Sequence, residues 1–493
     1  MKEPPTKATP PSGEATKTHA PAVPKYSFYA LLILSLVNFL NYIDRQVLPA
    51  VAPVMLKDPE LGLNDAELGY MEAALLLSFT VLAPLFGRLG DRYPRAKIMA
   101  SAAVVWSVAT ALTGFADRLT FMPSGLRLNV PVVGVTLALS GVALTLCLIR
   151  ACVGVGESAY STITPSLIAD YFPPHRRATA LGVFQAAIPM GFALGFVIGG
   201  VLAYYFGWRA AFMIVGVPGL VTAALVWRLR EPARGATDVP HHETALEEIA
   251  EAPAETARAL ADAGKDETTL RSAWNILKTR DWLVSTAGYT ALTFALGAMA
   301  TWATVVMERD KGMSAAGAAI TLGVVSLLAG ATGTFGGGWL ADRVKAYRHN
   351  AYFLVCAVST LLGIVPTIAV LVADSPAIFL PAIFFAVMLL FVSNAPFHAI
   401  LLESVPVRVR AMAVALNIVI IHTFGDAISR ALVGVLSESL KAGRFSALAA
   451  LGEAVGIDSS QHLSAALLIV PAALAVSTVL FFVGAKTQKR TEI

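Results

Sequence analysis

Long apolar stretches alternate with short polar segments along the whole chain, and this pattern predicts helices that cross a membrane. A crossing helix needs about 20 mostly apolar residues. Twelve stretches reach this length, six on each side of a longer polar segment. They lie at 27–56, 66–87, 97–116, 133–168, 179–204, 210–230, 281–307, 316–340, 351–373, 378–402, 412–437 and 463–484. The predicted fold is therefore all-α and membrane-integral, with twelve transmembrane helices in two six-helix halves.

The polar segments divide the chain into parts with different predicted structure. Residues 1–25 are rich in Pro, Thr, Ala and Lys, a composition typical of a disordered cytoplasmic tail. Within the central segment, Leu270, Trp274 and Leu277 recur at helical spacing, which predicts an amphipathic helix on the membrane surface. The predicted parts are a tail at 1–25, a bundle at 26–230, a cytoplasmic linker at 231–280, a second bundle at 281–485 and a tail at 486–493.

Composition excludes a soluble globular protein and several kinds of site. The 493 residues are 56% hydrophobic and only 14% charged, against about 25% charged in an ordinary soluble domain. A net charge of +4 is modest and predicts no nucleic-acid partner. Cys147, Cys152 and Cys356 lie in apolar stretches, so we expect buried small side chains rather than disulfides or a zinc site. We expect neither a metal ion nor a cofactor.

Basic residues concentrate in the loops on one side of the predicted bundle. Arg92, Arg95 and Lys97 crowd the loop after the second span, and Arg343 and Lys345 follow the eighth. Because positively charged loops stay on the cytoplasmic side of a membrane, this side and both chain ends are predicted to be cytoplasmic. The Ala-, Gly- and Val-rich composition and the short tails favour a bacterial inner membrane.

Two loop motifs occur once in each half, in the same order. GRLGDRYPRAK at Gly87–Lys97 and GWLADRVK at Gly338–Lys345 share the pattern Gly-x-x-x-Asp-Arg. FPPHRRATA at Phe172–Ala180 precedes the fifth span, and VPVRVRAMA at Val405–Ala413 precedes the eleventh. This order predicts two related halves, a parallel repeat known from transporters whose substrate site lies near the midplane between the halves.

The Gly-x-x-x-Asp-Arg loops contain residues suited to a gate. Glycine permits close helix contact, and the loop arginines could hold acidic groups across the gap between the halves. The alternative is that these charges only set the topology. The predicted cytoplasmic gate comprises Gly87, Asp91, Arg92, Arg95, Arg177, Asp342, Arg343 and Arg410.

Asp44 and Arg45 are neighbours in the middle of the first apolar stretch. An isolated charge at the centre of a membrane helix costs about 2.5–3.5 kcal/mol, so each needs a partner on another helix. Arg150 and Glu157 share one face of the fourth span, and Tyr160 extends that face. We therefore predict a neutral four-charge site of Asp44, Arg45, Arg150 and Glu157, with a purely architectural ion-pair network as the alternative.

The predicted substrate cavity draws on both halves. His422, Asp426 and Arg430 share one face of the eleventh span, where His422 could titrate near neutral pH or serve as a hydrogen-bonded core residue. Tyr289 and Thr293 belong to a mildly amphipathic face of the seventh span, which core packing also explains. The predicted cavity residues are Asn41, Tyr160, Tyr289, Thr293, His422 and Asp426.

The loop motifs resemble the signature of the major facilitator superfamily, and the resemblance extends over all twelve spans. Pro94 stands where that signature usually has glycine. Finer matches are similar to the spinster-type transporters, which move lysophospholipids and sphingosine phosphates. These are NYIDRQVLPAVAP at Asn41–Pro53, RACVGVGESAYSTITPSLIADYF at Arg150–Phe172, GYTALTFALGAMATWA at Gly288–Ala303 and HTFGDAIS at His422–Ser429.

The resemblance implies a secondary transporter that works by alternating access, with Asp44, Arg45 and Glu157 as the coupling and head-group site. The expected partners are an amphipathic anionic lipid, protons and membrane lipids, and the chain is expected to act as a monomer. Arginine binds phosphate bidentately, so an anionic head group could compete with a carboxylate for Arg45 and redirect a proton.

Three other functions stay open. A proton-driven multidrug or organic-anion exporter would have the same fold. Gly191, Gly195 and Gly199 in the fifth span are similar to the motif of drug/proton antiporters, although close helix packing also explains them. An integral-membrane lipid-modifying enzyme is disfavoured, since the sequence shows neither a His-Glu-x-x-His pattern nor an activated nucleophile. A non-transporting receptor is the third alternative.

Overall fold

A computed structural model describes residues 23–119, 125–130, 135–237, 269–406 and 409–488. Most of the predicted tail at 1–25, the linker residues 238–268 and the chain end at 489–493 lie outside the described residues. The first half contains α1 Lys25–Met55, α2 Asp65–Arg92, α3 Arg95–Thr113, β1 Leu126–Val130, β2 Val135–Leu139, α4 Gly141–Tyr171 and α5 Pro174–Trp227. The second half contains α6 Thr269–Lys278, α7 Arg280–Arg309, α8 Ala315–Lys345, α9 Ala351–Val372, α10 Pro376–Val392, α11 Asn394–Glu403, α12 Arg410–Ile420, a π-helix Ile421–Ala427, α13 Ile428–Lys441, α14 Ser446–Ala454, α15 His462–Ala466 and α16 Ile469–Thr487.

The described helices account for twelve membrane crossings. Among the described residues, eleven continuous helical stretches are long and apolar enough to span a membrane. The longest, α5, makes two crossings because Gly207 breaks it with φ 81° and ψ 161° into a first arm at 174–206 and a second arm at 208–227. Glycine adopts positive φ at little cost, which explains the residue at this corner. The predicted fold class and the predicted break between the fifth and sixth spans are therefore confirmed.

The fourth span begins later than predicted. Residues 133–140 were expected to be helical, but Val135–Leu139 pairs with Leu126–Val130 as an antiparallel hairpin. Ser140 then starts α4, since its side chain accepts a hydrogen bond from the amide of Ala143 at 3.1 Å. The amide of Ser140 itself donates to Glu67 of α2 at 2.6 Å. This capping stops the helix at the membrane edge and corrects the predicted boundary.

The first arm of α5 packs closely on α1 through its row of glycines. A Cβ atom built on Gly191 would lie 2.6 Å from the carbonyl oxygen of Phe39, and one on Gly195 would lie 2.7 Å from that of Ile43. Gly199 continues this contact one turn further along. Close helix packing therefore explains the row of glycines. This is one of the two interpretations that the sequence allowed.

The eleventh span is interrupted by a π-helix where the sequence predicted one continuous helix at 412–437. The π-helix covers Ile421–Ala427, between α12 and α13, and contains both His422 and Asp426. An inserted π-turn rotates the side chains that follow it and is frequent at functional sites. The tenth span is also divided, because α10 ends at Val392 and α11 starts at Asn394.

Two smaller expectations have different outcomes. The amphipathic helix predicted in the linker exists as α6, with Trp274 exposed on its surface. The cysteines are not all buried: Cys356 is buried and Cys147 is intermediate, but Cys152 is exposed on the fourth span. A thiol is apolar enough to face lipid, which is why an apolar stretch does not imply burial by protein.

Consecutive spans run in opposite directions, so their ends define two faces. We call the face where α1 begins at Lys25 and α2 ends at Arg92 the basic face, and the face where α1 ends at Met55 the far face. At the far face, Asp65 of the first half accepts hydrogen bonds from Nη1 and Nη2 of Arg309, both at 2.9 Å. Asp65 also pairs with Lys441 at 2.9 Å. The two halves are therefore tied together at the far face.

Candidate functional site

A cavity of about 250 Å³ lies between the two halves. Its polar wall comes from α1, α7 and the eleventh span, and its apolar wall comes mainly from α7, α8 and α10. The polar wall includes Tyr42, Arg45, Gln46, Thr293, His422, Asp426 and Arg430. The apolar wall includes Met299, Leu322, Ile383, Ala386, Leu390 and Phe391. The cavity is thus amphipathic.

Arg45 lines the cavity and makes the contact with Glu157 that the sequence predicts. Its Nε and Nη2 atoms donate to Oε2 of Glu157 at 3.0 and 2.5 Å. The guanidinium also lies 5.2 Å from the ring centre of Tyr42 and 5.1 Å from that of Phe79. Glu157 is fully buried behind Arg45, so the arginine is the member of this pair that a ligand can reach.

Asp44 points away from the cavity toward α3. The hydroxyl of Thr110 donates to its Oδ2 atom at 2.5 Å. Its Oδ1 atom is buried and has no hydrogen-bond partner among the described residues. Asp44 therefore contacts a neutral hydroxyl on another helix rather than forming a direct ion pair. Thr110 was not identified from the sequence.

Arg150 has a different partner from the one predicted. Its Nη2 atom donates to Oε1 of Glu72 at 3.4 Å, and no ion pair joins it to Glu157. The other carboxylate oxygen of Glu72 accepts a hydrogen bond from Nη1 of Arg430, which belongs to the second half. The four predicted residues are thus divided: Arg45–Glu157 is one ion-pair group, Arg150–Glu72–Arg430 is a second, and Asp44 has no direct ion pair in either.

The formal charges around the cavity leave one acid in excess. Three guanidinium groups face four carboxylates, so the sum is 3 − 4 = −1 when the imidazole is neutral. The groups counted are Arg45, Arg150, Arg430, Asp44, Glu72, Glu157 and Asp426. Since excess charge is costly in a membrane interior, one proton on this set or on His422 restores neutrality.

His422 and Asp426 form a pair on the polar wall, within the π-helix. Nδ1 of His422 lies 2.8 Å from Oδ2 of Asp426. The His422 ring also meets the ring of Phe79 edge-on, with ring centres 6.2 Å apart. Thr293 completes this part of the wall, and its hydroxyl donates to the carbonyl of Thr290 at 3.0 Å. These three predicted cavity residues do line the cavity.

Three other predicted cavity residues do not line it. The Tyr160 hydroxyl donates to the carbonyl of Leu34, deep between α1 and α4. Tyr289 donates to Oδ1 of Asn394 at 2.7 Å, with its ring stacked on a neighbouring phenylalanine. Asn41 is fully buried, and its amide atoms have no partner among the described residues. Helical spacing predicts which residues share a face of a helix, as for Tyr160 on the fourth span. It does not predict which neighbouring helix that face contacts.

The predicted gate residues at the basic face bind within their own halves. Arg95 donates from Nη1 to Asp170 of its own half at 2.5 Å and from Nε to Glu231, the first residue of the linker that follows that half, at 3.1 Å. Between described residues, no ion pair joins the two halves at this face. Contacts of the other gate residues include Arg177 to the carbonyl of Ala169 and the hydroxyl of Thr237, Asp342 from the hydroxyl of Tyr352, Arg343 over the ring of Trp339 and Arg410 to the carbonyl of Leu402. Asp91 and Arg92 are exposed.

The glycine that allows close contact in this loop is not the predicted one. A Cβ atom on Gly87 would lie 3.7 Å from the side chain of Thr162, an ordinary contact. On Gly90 it would lie 2.9 Å from the side chain of Ile163. The repeated glycine of the motif is therefore not the point of closest approach in the first half.

Glu72 and Arg430 are the site residues that sequence reasoning missed or left without a role. Glu72 is 2% exposed, and it stands in the apolar stretch 66–87, which begins directly after Asp65. The general rule that a charge within a membrane helix marks function was applied to Asp44 and Arg45 and would also have found Glu72. Arg430 was placed on the His422 face, but no partner in the first half could be assigned from spacing.

Comparisons with known proteins agree with this architecture. The family model described as Major Facilitator Superfamily matches residues 34–429. Protein spinster of Drosophila melanogaster is 29% identical over 429 residues, which cover 85% of this chain and 63% of that protein, less than two thirds of its length. Protein spinster homolog 3 of Danio rerio is 30% identical over 433 residues, covering 84% of this chain and 77% of that protein.

Solved structures show the same fold. A crystal structure described as a bacterial homolog to the human lysosomal transporter spinster, in an inward-facing and occupied conformation, has a TM-score of 0.73 at 21% identity. The match covers 95% of this chain and 98% of that one. A D-xylose-proton symporter has a TM-score of 0.63 at 18% identity, with 92% and 97% covered.

Proposed function

Because the chain belongs to the Major Facilitator Superfamily, and within it to the spinster-type transporters rather than to any enzyme, we propose that it carries an amphipathic anionic lipid by alternating access. A lysophospholipid or a sphingoid phosphate is the substrate class in view. The observation that supports this proposal most directly is the amphipathic cavity between the halves, with guanidinium groups at one wall and aliphatic side chains at the other.

The polar wall suits an anionic head group. Arg45 and Arg430 both line the cavity, one from each half. Arginine presents a planar fork of donors that matches a phosphate, and it is less strongly hydrated than lysine. A ligand held by both arginines touches both halves at once, which alternating access requires of a substrate.

The apolar wall suits the start of an acyl chain. Leu322, Ile383 and Leu390 present aliphatic surface to the same cavity as the charged residues. The cavity of about 250 Å³ is somewhat smaller than the range of about 300–1,000 Å³ found for sites that bind drug-sized ligands. A head group and the first part of a chain fit inside it, so the remainder of a long chain would extend beyond the cavity.

Proton coupling is part of the proposal. The excess of one acid means that a proton is needed for neutrality when the cavity is empty, and an anionic head group increases that need. Asp44 is the best candidate to hold the proton, since its direct partner is the Thr110 hydroxyl and not a cation. A head group that draws Arg45 away from Glu157 would leave Glu157 as a second candidate.

The basic loops support an orientation with both chain ends in the cytoplasm. The composition favours a bacterial inner membrane. All residues of the proposed site come from one chain. The structure is closed at the far face, where Asp65 joins the halves. In this orientation the closed face is the one away from the cytoplasm, and a monomer suffices for transport in this proposal.

Uptake of radiolabelled oleoyl lysophosphatidic acid into proteoliposomes, with and without a pH gradient, tests this proposal. We expect uptake in the wild type and a fall of about tenfold or more for Arg45→Gln, since a charge-assisted contact is lost. Arg444→Gln, at an exposed arginine outside the cavity, serves as the matched control and should keep wild-type uptake. Equal uptake by both variants would remove Arg45 from the site.

The proton arm uses Asp44→Asn. This variant should transport the lipid at one rate whether or not a gradient is imposed, while Asp458→Asn, at an exposed aspartate, should respond like the wild type. A gradient response that survives in Asp44→Asn excludes Asp44 as the proton carrier. Should the wild type move a hydrophilic organic anion but no lipid, the organic-anion exporter replaces the lipid carrier.

A further inference from the structure

The ion pair between Glu72 and Arg430 joins the two halves beside the cavity. Glu72 belongs to α2 and Arg430 to α13, and their side chains are 2% and 9% exposed. Glu72 uses its second oxygen to bind Arg150 of its own half. One carboxylate therefore serves two arginines, and only one of these arginines lies across the gap between the halves.

The two helices that carry this pair form a tight seam. A Cβ atom on Gly69 would lie 2.5 Å from the carbonyl oxygen of Arg430. A Cβ atom on Gly434 would lie 2.3 Å from the carbonyl oxygen of Asp65. Because the backbones touch on this side, α2 and α13 cannot separate at the far face without breaking the contact between Glu72 and Arg430.

Separation has unequal consequences for the two partners. Glu72 keeps Arg150, so its charge stays compensated within the first half. Arg430 loses its ion-pair partner, and its Nε atom already has no hydrogen bond among the described residues. The acid one turn before it, Asp426, is paired with His422. An uncompensated buried charge is strongly unfavourable, so the empty protein should resist opening at the far face.

We propose that Arg430 is the second half's ligand for the anionic head group, and that Glu72 occupies this arginine until the head group replaces it. The inference rests on the proposed function and adds to it the residue that links binding to opening. A phosphate or other anionic group at Arg430 supplies the negative charge that Glu72 withdraws. The ligand thereby favours far-face opening through an interaction that exists only when the halves part, as a population shift requires.

Arg430→Leu is the variant that separates the steps. It removes the cation and leaves the pair of Glu72 and Arg150 intact, so Glu72 keeps a charged partner. Arg430→Lys keeps the charge but lacks the bidentate fork. Lys441→Met is the matched control, because Lys441 also joins the halves, through Asp65, but does not line the cavity.

Distances between spin labels at Arg118 and Ser459 report the far face. Both residues are exposed, one in each half, and the labels require Cys147, Cys152 and Cys356 to be replaced by alanine. The full chain is placed in nanodiscs, and distances are measured without ligand, with oleoyl lysophosphatidic acid and with uncharged monooleoylglycerol. Monooleoylglycerol has an acyl chain of the same length and no anionic group.

In the wild type, the phosphate lipid should raise the ratio of open to closed molecules by about tenfold, and monooleoylglycerol should not. Arg430→Leu should be open more often without ligand and should not respond to the phosphate lipid, while Arg430→Lys should respond partly. Lys441→Met should also open more often yet keep the full response. A full response in Arg430→Leu would overturn the proposal.

The failure of the proposed function is distinguishable in the same experiment. If no distance in the wild type responds to the phosphate lipid, the anionic-lipid substrate and the head-group role of Arg430 both fail. The ligand-free comparison still tests the bridge. Identical ligand-free distances in Arg430→Leu and the wild type would show that Glu72 and Arg430 do not hold the far face closed.

Discussion

The far face and the basic face of this protein both carry many charges, but the charges are paired in different ways. At the far face, Asp65 binds Arg309 and Lys441 of the other half. At the basic face, Arg95 binds Asp170 of its own half and Glu231 at the start of the linker that follows that half. Charge pairs within a half can persist while the halves move, whereas pairs between halves must break. The sequence motifs mark the basic face, yet the bonds that hold this conformation lie at the far face.

This difference indicates that the free-energy cost of the conformational change arises at the far face, where α2 and α13 meet. Opening the far face must separate Asp65 from Arg309 and Lys441, Glu72 from Arg430, and the glycine-mediated contact between α2 and α13. The basic face offers no comparable bond between described residues of the two halves. The loop arginines could still form bonds between the halves after the protein changes state, which leaves the predicted gate as a proposal for the other conformation.

The largest expected effect comes from filling the seam. Gly434→Val places a side chain where the carbonyl oxygen of Asp65 lies 2.3 Å from the Cβ position. Since backbone cannot yield, the far face should stay open and uptake should fall more than about tenfold, as overpacking typically costs about 1–3 kcal/mol. Label distances at the far face and lipid uptake provide the measurements.

The control for this substitution is another helical glycine. Gly182→Val lies on the first arm of α5, where no atom stands within 4 Å of the Cβ position. This variant should keep the wild-type distances and uptake. If Gly434→Val closes as fully as Gly182→Val, close contact at the seam is not required for the far face to close.

A smaller effect is expected from removing the Asp65 charge. Asp65→Asn weakens the bonds to Arg309 and Lys441 but keeps the shape of the contact. Arg309 donates two hydrogen bonds to Asp65 and Lys441 donates one, so we expect Arg309 to contribute more. We expect the open state to gain about 1–2 kcal/mol, because hydrogen bonds to charged groups contribute about 1.5–3 kcal/mol each before screening. Thiol labelling of a single cysteine introduced at the seam measures the shift.

Asp91→Asn makes the comparison between faces direct. Asp91 is the exposed motif aspartate at the basic face, and in this conformation its loss should leave far-face labelling unchanged. Equal shifts for Asp65→Asn and Asp91→Asn would mean that the two faces contribute alike, contrary to the pairing seen here.

The sequence predicts the spans well because hydropathy acts locally. It also predicts the contact of Arg45 with Glu157, since a buried arginine requires an acid and the fourth span offers one. It could not identify the partner of Arg150, because three acids on the first four helices are candidates: Asp44, Glu72 and Glu157. Only tertiary packing selects among them. The same limit explains Tyr160, whose face was correct but meets α1 instead of the cavity.

The π-helix shows a second limit of sequence reasoning. His422 and Asp426 are four residues apart, so a regular helix and the π-helix both allow them to pair. The side chains after the insertion are rotated relative to a continuous helix. Arg430 therefore reaches Glu72 of the first half, a partner that regular spacing along 412–437 does not indicate.

The smallest effect is expected from a far-face cluster that does not cross between the halves. Asp58 accepts hydrogen bonds at 2.7 Å from Trp208 Nε1 and Arg209 Nη1, all within the first half. Partial burial raises the pKa of Asp58, but these hydrogen bonds outweigh it and hold the pKa below its usual value. A lowered pKa in the folded state stabilises the fold above the ordinary aspartate pKa of about 3.9. That contribution is lost as the pH falls through the lower folded-state value.

Asp58→Asn should accordingly lower the free energy of unfolding by about 1 kcal/mol at pH 7, as for a partly exposed ion pair. The difference from the wild type should shrink as the pH falls below the ordinary aspartate pKa, because the wild-type carboxylate is then protonated too. Thermal unfolding in detergent at a series of pH values measures both quantities. Far-face label distances should stay those of the wild type, since no bond of Asp58 crosses the seam. A shift toward the open state in Asp58→Asn would instead show that this cluster helps to keep the halves together. Pairs within a half would then affect gating as well as stability, contrary to the comparison between the two faces.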